Sequence, residues 1–287
     1  MKLNRYPDGT SYINDTKLGE QVFRLNTYED LWHLNQFVDA FHSEHDTLTV
    51  KMKPNIIIPN LIDAQADRRF NKGESSGLRL VLEFLNRLEA NFKIFHPHNG
   101  EIVEAMTNNV EIIDNTEFIK EVLQNLQLMQ KNNSEVGLDY VRPLSNLVLF
   151  SSDAGGFKPL MKLADKLKWR GEVYGASKSR KYEEGKSKLV QVIDRQDFEG
   201  KDVLIIDDIS VYGGTFVGLA KMLRQRNVGR LYLAVSHLTV PNPNPELFTL
   251  FDKLFTTNSK YDEYFPIPHK DGGGASKADN LEIIKLF

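Results

Sequence analysis

Apolar positions along the chain follow two rhythms: short unbroken runs, and longer stretches with an apolar residue every three or four positions. In the first half, Leu48–Met52, Ile56–Ile58, Phe92–Phe95 and Val110–Ile113 read as strands. Glu29–Phe41, Ser75–Glu89 and Glu117–Gln130 read as amphipathic helices. In the second of these, Leu78, Val81, Leu82, Leu85 and Leu88 form one stripe. A polar stretch, Lys131–Gly137, followed by Pro143, marks a boundary between domains at residues 1–143 and 144–287. The second half repeats the alternation, with strands at Leu147–Phe150, Val173–Ala176, Val203–Ile206 and Leu231–Val235 and helices over Lys158–Lys168 and Thr215–Arg226. Strands joined by helical crossovers imply an α/β fold with mainly parallel sheets flanked by helices. Ser177–Lys188, crowded with charge, and Pro266–Lys277, with its three successive glycines, read as mobile loops.

Composition narrows the function. The 287 residues include 36 Lys+Arg and 39 Asp+Glu, a formal charge of -3, which excludes the massed positive charge of a general nucleic-acid or membrane-surface binder. There is no cysteine, so disulfides, thiolate metal sites and a cysteine nucleophile are excluded. No apolar run is long enough for a bilayer, and Met1–Thr10 is polar, so a cytoplasmic protein is expected.

The segment richest in chemistry is Val203–Thr215, VLIIDDISVYGGT. An apolar strand leads to Asp207 and Asp208, and Gly213, Gly214 and Thr215 then turn the chain into a helix. In an open parallel sheet, ligands bind beyond the carboxyl ends of the strands. Glycines let backbone amides approach an anion, and a helix N-terminus favours negative charge. Thr215 suits a helix cap and a hydroxyl bond. The adjacent carboxylates suit the hydroxyls of a ribose, or a divalent cation bound to them. A bare strand–turn–helix with solvated acids is the bland alternative.

This order of residues resembles the phosphoribosyl-diphosphate motif of type I phosphoribosyltransferases and of ribose-phosphate pyrophosphokinases (PRPP synthetases). Other segments fall in the synthetase order. Arg5-Tyr6-Pro7-Asp8-Gly9 is similar to RFSDGE, and Pro59–Arg69 to the PYxxYARQDR segment that helps hold ATP. Phe95–Glu101 stands where the family has DLH, and Ser151–Gly156 resembles SPDxGG. Ser177–Arg180 occupies the place of a KRR loop, and Ser236-His237 that of a TH pair following the last strand. Each match also has a plainer reading. Arg5 and Asp8 could form a surface ion pair, Asp67, Arg68 and Arg69 a solvated cluster, and Asp153 a helix cap. His96 and His98 alternate at strand spacing and would share a face.

The resemblance implies two type I phosphoribosyltransferase-like domains, the first on the ATP side and the second binding ribose phosphate. It implies transfer of the β,γ-diphosphoryl group of ATP to the anomeric hydroxyl of a ribose 5-phosphate-type acceptor, with Mg²⁺. Lys178, Arg180 and His98 would be catalytic, with the first two on a closing loop. Asp207, Asp208, Ser210, Tyr212, Gly213, Gly214 and Thr215 would bind the acceptor. Gln65, Asp67, Arg68, Arg5 and Asp8 would bind ATP, and Asp153 with His98 would hold the metal. A homo-oligomer, dimer or hexamer, is implied as well.

The chain departs from the family pattern in places. Val211 and Tyr212 replace an acid and a threonine of DDxxDTGGT, and the ARQD core reads Ala64-Gln65-Ala66-Asp67. His96 replaces the DLH aspartate, Thr10 replaces the RFSDGE glutamate, and only Lys178 and Arg180 remain of KRR. The altered phosphate loop points to an acceptor with a larger 5-group, ADP-ribose above all, as in the phage relatives that make ADP-ribose pyrophosphate for NAD synthesis. A phosphoribosyltransferase that uses PRPP, and a non-catalytic regulatory subunit on the same fold, are the rivals.

Overall fold

The structure is a computed structural model and describes residues 2–132, 144–183, 186–240, 243–262 and 280–287. Its contacts divide the chain into two compact units, Met1–Asp114 with Phe287, and Asn115–Leu286. Pro143 and the Pro266–Lys277 stretch lie outside the described residues.

The first unit opens with an antiparallel hairpin of β1 (Lys2–Arg5) and β2 (Ser11–Asn14). Its sheet holds β3 (Glu20–Val22), β4 (Asn55–Ile58), β5 (Asn91–Phe95) and β6 (Val110–Ile113), all parallel and in sequence order. Three helices carry the crossovers: α1 (Tyr28–His45), α2 (Gly77–Leu85) and α3 (Gly100–Met106). Thr27 starts α1 with a capping box, its hydroxyl taking the Asp30 amide while Asp30 takes the Thr27 amide. Leu34, Phe37, Val38 and Phe41 of α1 and Leu78, Val81, Leu82 and Leu85 of α2 bury their stripes against Ile56, Ile58, Phe92 and Ile94.

The second unit begins with α4 (Thr116–Asn132). Its sheet contains β7 (Leu147–Ser151), β8 (Val173–Gly175), β11 (Asp202–Ser210), β12 (Leu231–Leu238), β13 (Lys253–Thr257) and β14 (Leu281–Ile284). The order is β14-β13-β12-β11-β7-β8, and every pair is parallel. The central strands are buried on both faces, as their unbroken Val, Leu and Ile runs demand. Helices α5 (Ala154–Lys166), α6 (Gly214–Arg224) and α7 (Glu246–Leu250) complete the unit, with β9 (Ser177–Glu183) and β10 (Lys186–Val192) as a separate antiparallel hairpin.

Several expectations need correction. Leu48–Met52 is no strand. Val50 donates to Thr47 Oγ1 and Met52 to Asp46 Oδ1, so side-chain bonds bend the segment, and Leu48 is fully exposed. Helix α2 spans less than Ser75–Glu89. After Leu85 the bonds tighten, Arg87 to Phe84 and Leu88 to Leu85. Helix α5 starts before Lys158, because Asp153 caps it and Pro159 is carried inside. Ser177–Lys188 was expected as a loop, but Lys178 pairs with Gln191 and Arg180 with Leu189 in the β9–β10 ladder. Strand β5 ends at Phe95 and His96 takes φ 37°, so His96 and His98 lie beyond the strand and the shared-face argument lapses. Ser236 and His237 lie within β12, which is not the last strand.

Candidate functional site

The carboxyl ends of β7 and β11 bring together a cluster of polar side chains in the second unit. Strand β11 runs past the strand end expected at Ile206, so Asp207 and Asp208 belong to the strand itself. On one flank it stays in register with β12, Asp207 opposite Val235 and Ser210 opposite Leu238. On the other flank its ladder with β7 stops at Ile206 opposite Ser151. The acids therefore overhang the end of β7, where Ser152 turns back and donates its hydroxyl to Asp207 Oδ2. Asp207 Oδ1 accepts the Asp208 amide at 2.9 Å. Burial, and next the neighbouring Asp208 carboxylate, push Asp207 up to about 7, while the Ser152 bond pulls the other way.

The turn after β7 is equally organised. Ser151 Oγ donates to the Asp153 carbonyl at 2.8 Å, and Asp153 Oδ1 accepts the Gly156 amide at 2.9 Å as the cap of α5. The backbone passes so close that a Cβ on Gly156 would lie 2.7 Å from Ser151 Oγ. The cap role expected of Asp153 as the plainer reading is thus present, and it uses one carboxylate oxygen.

Beyond β11, Gly213 holds φ 91° at the head of α6, and a Cβ there would stand 2.4 Å from Leu247 Cδ1. Only glycine meets both conditions without strain. Gly214 and Thr215 form the exposed first turn of α6, and a Cβ on Gly214 would meet open space. Amides at such a terminus suit an anion. Tyr212 is 59% exposed, and its carbonyl accepts the Asn244 amide at 2.9 Å. Ser210 is buried, and its carbonyl accepts from Thr239. His237 is buried, with Nδ1 2.9 Å from Ser259 Oγ.

In the first unit Arg5, Asp8 and Asp67, all expected to bind ATP, have partners within the chain. Arg5 pairs with Glu29 at 2.7 Å rather than with Asp8, and Asp8 accepts from Thr10 Oγ1 at 2.7 Å, which holds its carboxyl below the usual range. Asp67 is mostly buried and accepts from Asn99 Nδ2 at 3.1 Å, whereas Arg68 is exposed beside the Phe70 ring. Gln65 and His98 are exposed. Asn99 also caps α3, so it joins the Asp67 segment to the turn that carries His98.

Sequence reasoning passed over two of these residues. Asn99 had a signal, an Asn before Gly-Glu at a helix start. Ser152 had none beyond its place before a cap, because its partner lies 55 positions away.

Among the described residues, no three His, Asp or Glu side chains gather to hold a metal ion by themselves. Mg²⁺ commonly takes one or two carboxylates and completes its shell with water and substrate phosphate. The single carboxylate of Asp153 at a strand end fits that manner of binding. No helix among the described residues is long and apolar enough to cross a membrane.

Known proteins resemble this chain in sequence and in fold. The ribose-phosphate pyrophosphokinase of Sulfolobus acidocaldarius is 25% identical over 263 residues, covering 88% of this chain and 82% of that protein. That of Aquifex aeolicus is 34% identical over 153 residues, 52% of this chain and 44% of its own. The phosphoribosylpyrophosphate synthetase structure from Mycobacterium smegmatis superposes with a TM-score of 0.68 at 16% identity, covering 99% of this chain and 85% of that one. The likeness shows the fold: two phosphoribosyltransferase-like sheets of four and six strands, flanked by helices. Residues 112–260, which include the paired acids and the glycine turn, match the phosphoribosyl transferase domain family. The chain belongs to that family and is a distant, low-identity relative of the ribose-phosphate pyrophosphokinases.

Proposed function

We propose that this protein is a pyrophosphokinase that transfers the β,γ-diphosphoryl group of ATP to the anomeric hydroxyl of a ribose 5-phosphate-type acceptor. The observation that carries the reading is the end of β11: two adjacent carboxylates, one of them buried and held by Ser152, followed by a left-handed glycine and an open helix terminus. Such a site offers acceptors for sugar hydroxyls and amides for a phosphate a short distance along the chain. The pyrophosphokinase relatives that cover both units support the reaction over simple phosphoribosyl transfer.

In this reading Asp207 and Asp208 accept hydrogen bonds from the 2- and 3-hydroxyls and set the C1 oxygen as nucleophile. Gly213, Gly214 and Thr215 hold the 5-phosphate, and Ser210 belongs to the same acceptor segment. The C1 oxygen bonds to the β-phosphorus, the bridge to the α-phosphorus breaks, AMP leaves, and the hydroxyl proton is released. Positioning and charge neutralisation dominate such transfers. Lys178 and Arg180, on β9, stabilise the transferring oxygens. Gln65, Asp67, Arg68, Arg5 and Asp8 serve the nucleotide. Asp153 would hold Mg²⁺, which neutralises phosphate charge when bound.

The exposed Tyr212 ring in place of a small phosphate-loop residue favours an acceptor with an extended 5-substituent, with ADP-ribose ahead of ribose 5-phosphate. The experiment is AMP release from Mg-ATP with either acceptor. AMP formed only with ADP-ribose upholds the extended-acceptor reading, and AMP formed only with ribose 5-phosphate removes it. No AMP with either, but pyrophosphate from PRPP and a base, would instead identify a phosphoribosyltransferase. Nucleotide binding without turnover would identify a regulatory subunit.

A further inference from the structure

The Ser152 hydroxyl is polar, buried at 3% exposure, and assigned no part in the reaction above. It stands between the last residue of β7 and the Asp153 cap of α5, and it donates to Asp207 Oδ2. The other oxygen of Asp207 takes the Asp208 amide at 2.9 Å. Because the β7–β11 ladder ends at Ile206, no backbone bond to β7 restrains Asp207 on this flank. The Ser152 hydroxyl bridges the two strand ends in its place. Its own turn is fixed by the Ser151 bond to the Asp153 carbonyl and by the Asp153 bond to the Gly156 amide. A restrained hydroxyl therefore meets a buried carboxylate whose neighbour carries the same charge.

We propose that Ser152 is a positioning residue, whose hydroxyl fixes the Asp207 rotamer and keeps that carboxylate an acceptor for the hydroxyls of a ribosyl ligand. The inference rests on the ribosyl reading of the site and deepens it. A carboxylate oxygen accepts two hydrogen bonds, so inner bonds from Ser152 and the Asp208 amide orient the group and leave outward lone pairs for a ligand. A bond to the ionised form also favours that form. Without Ser152, the buried acid would turn more readily and take up a proton, becoming a donor where the sugar needs an acceptor.

The test compares wild type, Ser152→Ala and Ser152→Thr. Calorimetric titrations use ribose 5-phosphate, ADP-ribose and ATP, and the Asp207 carboxyl carbon is followed by NMR, assigned by its loss in Asp207→Asn. Ser152→Ala is expected to weaken the ribosyl ligand about tenfold, the worth of one hydrogen bond to a charged group. It is also expected to leave ATP affinity in place and to raise the Asp207 titration midpoint, while Ser152→Thr restores both. Unchanged ribosyl affinity with an unmoved Asp207 titration overturns the proposal. Equal weakening of ATP and ribosyl ligand with a lowered melting temperature also overturns it, because that is general damage. Wild type that binds neither ribosyl compound defeats the ribosyl reading itself. The carboxyl titration in Ser152→Ala then decides the positioning claim, a raised midpoint upholding it and an unmoved one overturning it.

Discussion

The two units place polar residues at the carboxyl ends of parallel strands in opposite ways. In the first, three residues expected to touch ATP are answered from within the chain: Arg5 by Glu29, Asp8 by Thr10, Asp67 by Asn99. Arg5, Asp8 and Arg68 are also open to water. In the second, Asp207 is buried beside Asp208, and burial and then that neighbouring carboxylate push it up to about 7. Solvated residues can be swapped at little cost to folding. A buried acid next to a like charge is unfavourable for the fold, and such departures concentrate where a ligand is bound. The comparison makes the β11 end the region where the proposed binding conflicts with folding.

The sharpest way to break that contrast is Asp207→Asn. With its folded midpoint at about 7, above the ordinary value, Asp207 binds a proton in the folded state that it lacks in the unfolded state between about pH 4 and 7. Stability therefore falls as pH rises through that window, by about 4 kcal/mol in full. Asn carries no such dependence. Urea unfolding should show Asp207→Asn more stable than wild type at pH 8, with the gain shrinking towards pH 4. AMP release should fall ten- to about a hundredfold. A variant destabilised at pH 8 would show that the acid is not held against its charge.

Next in size is Gly213→Ala. It forces a Cβ into φ 91° and against Leu247, which is fully buried in the core of the second unit. Backbone strain and core displacement together should cost about 2–4 kcal/mol, read as a lower urea midpoint. Gly214→Ala has open space and should leave the midpoint nearly unchanged while weakening phosphate binding. Equal stability losses at both positions would remove the distinction between the structural and the ligand-facing glycine.

The sequence made the second region far more legible than the first. The β11 segment announces itself because a buried strand, two acids and a glycine turn are contiguous, and contiguous signals need no knowledge of folding partners. The helix α5 cap and the α1 capping positions are local in the same sense. Local patterning misled where side chains override it. Leu48–Met52 has the composition of a strand, but Thr47 and Asp46 bend it with their own hydrogen bonds. The charged stretch after Gly175 reads as a loop because β9 and β10 pair with each other and not with the apolar sheet, so no hydrophobic run marks Ser177–Lys188. The clasp of Ser152 on Asp207 was invisible, since it depends on two strands ending at different heights.

A smaller effect is expected at Asn99, where the first unit joins two of its loops. Asn99→Ala removes the cap of α3 and the partner of Asp67. The cap alone is worth about 1 kcal/mol. If the Asp67 segment serves ATP, the KM for ATP should rise several-fold with the ribosyl ligand's KM unmoved. A rise confined to the ribosyl ligand would reverse the division of labour between the units.

The smallest stability effect should come from Arg5→Ala, and that is what makes it informative. The Arg5–Glu29 pair is about half exposed on both sides, and exposed pairs contribute little because water screens them and ordering two long side chains offsets the attraction. Glu29 loses the donor that holds its carboxyl below the usual range, but it remains solvated, so the melting temperature should not move measurably at pH 7. Any change in catalysis then cannot be ascribed to folding. If Arg5 moves from Glu29 to the triphosphate, the KM for ATP rises in Arg5→Ala, and Glu29→Ala lowers it by releasing the competitor. If both variants keep the wild-type KM, the ion pair is a surface contact only, and the proposal that the first unit holds ATP rests on the Asp67 segment alone.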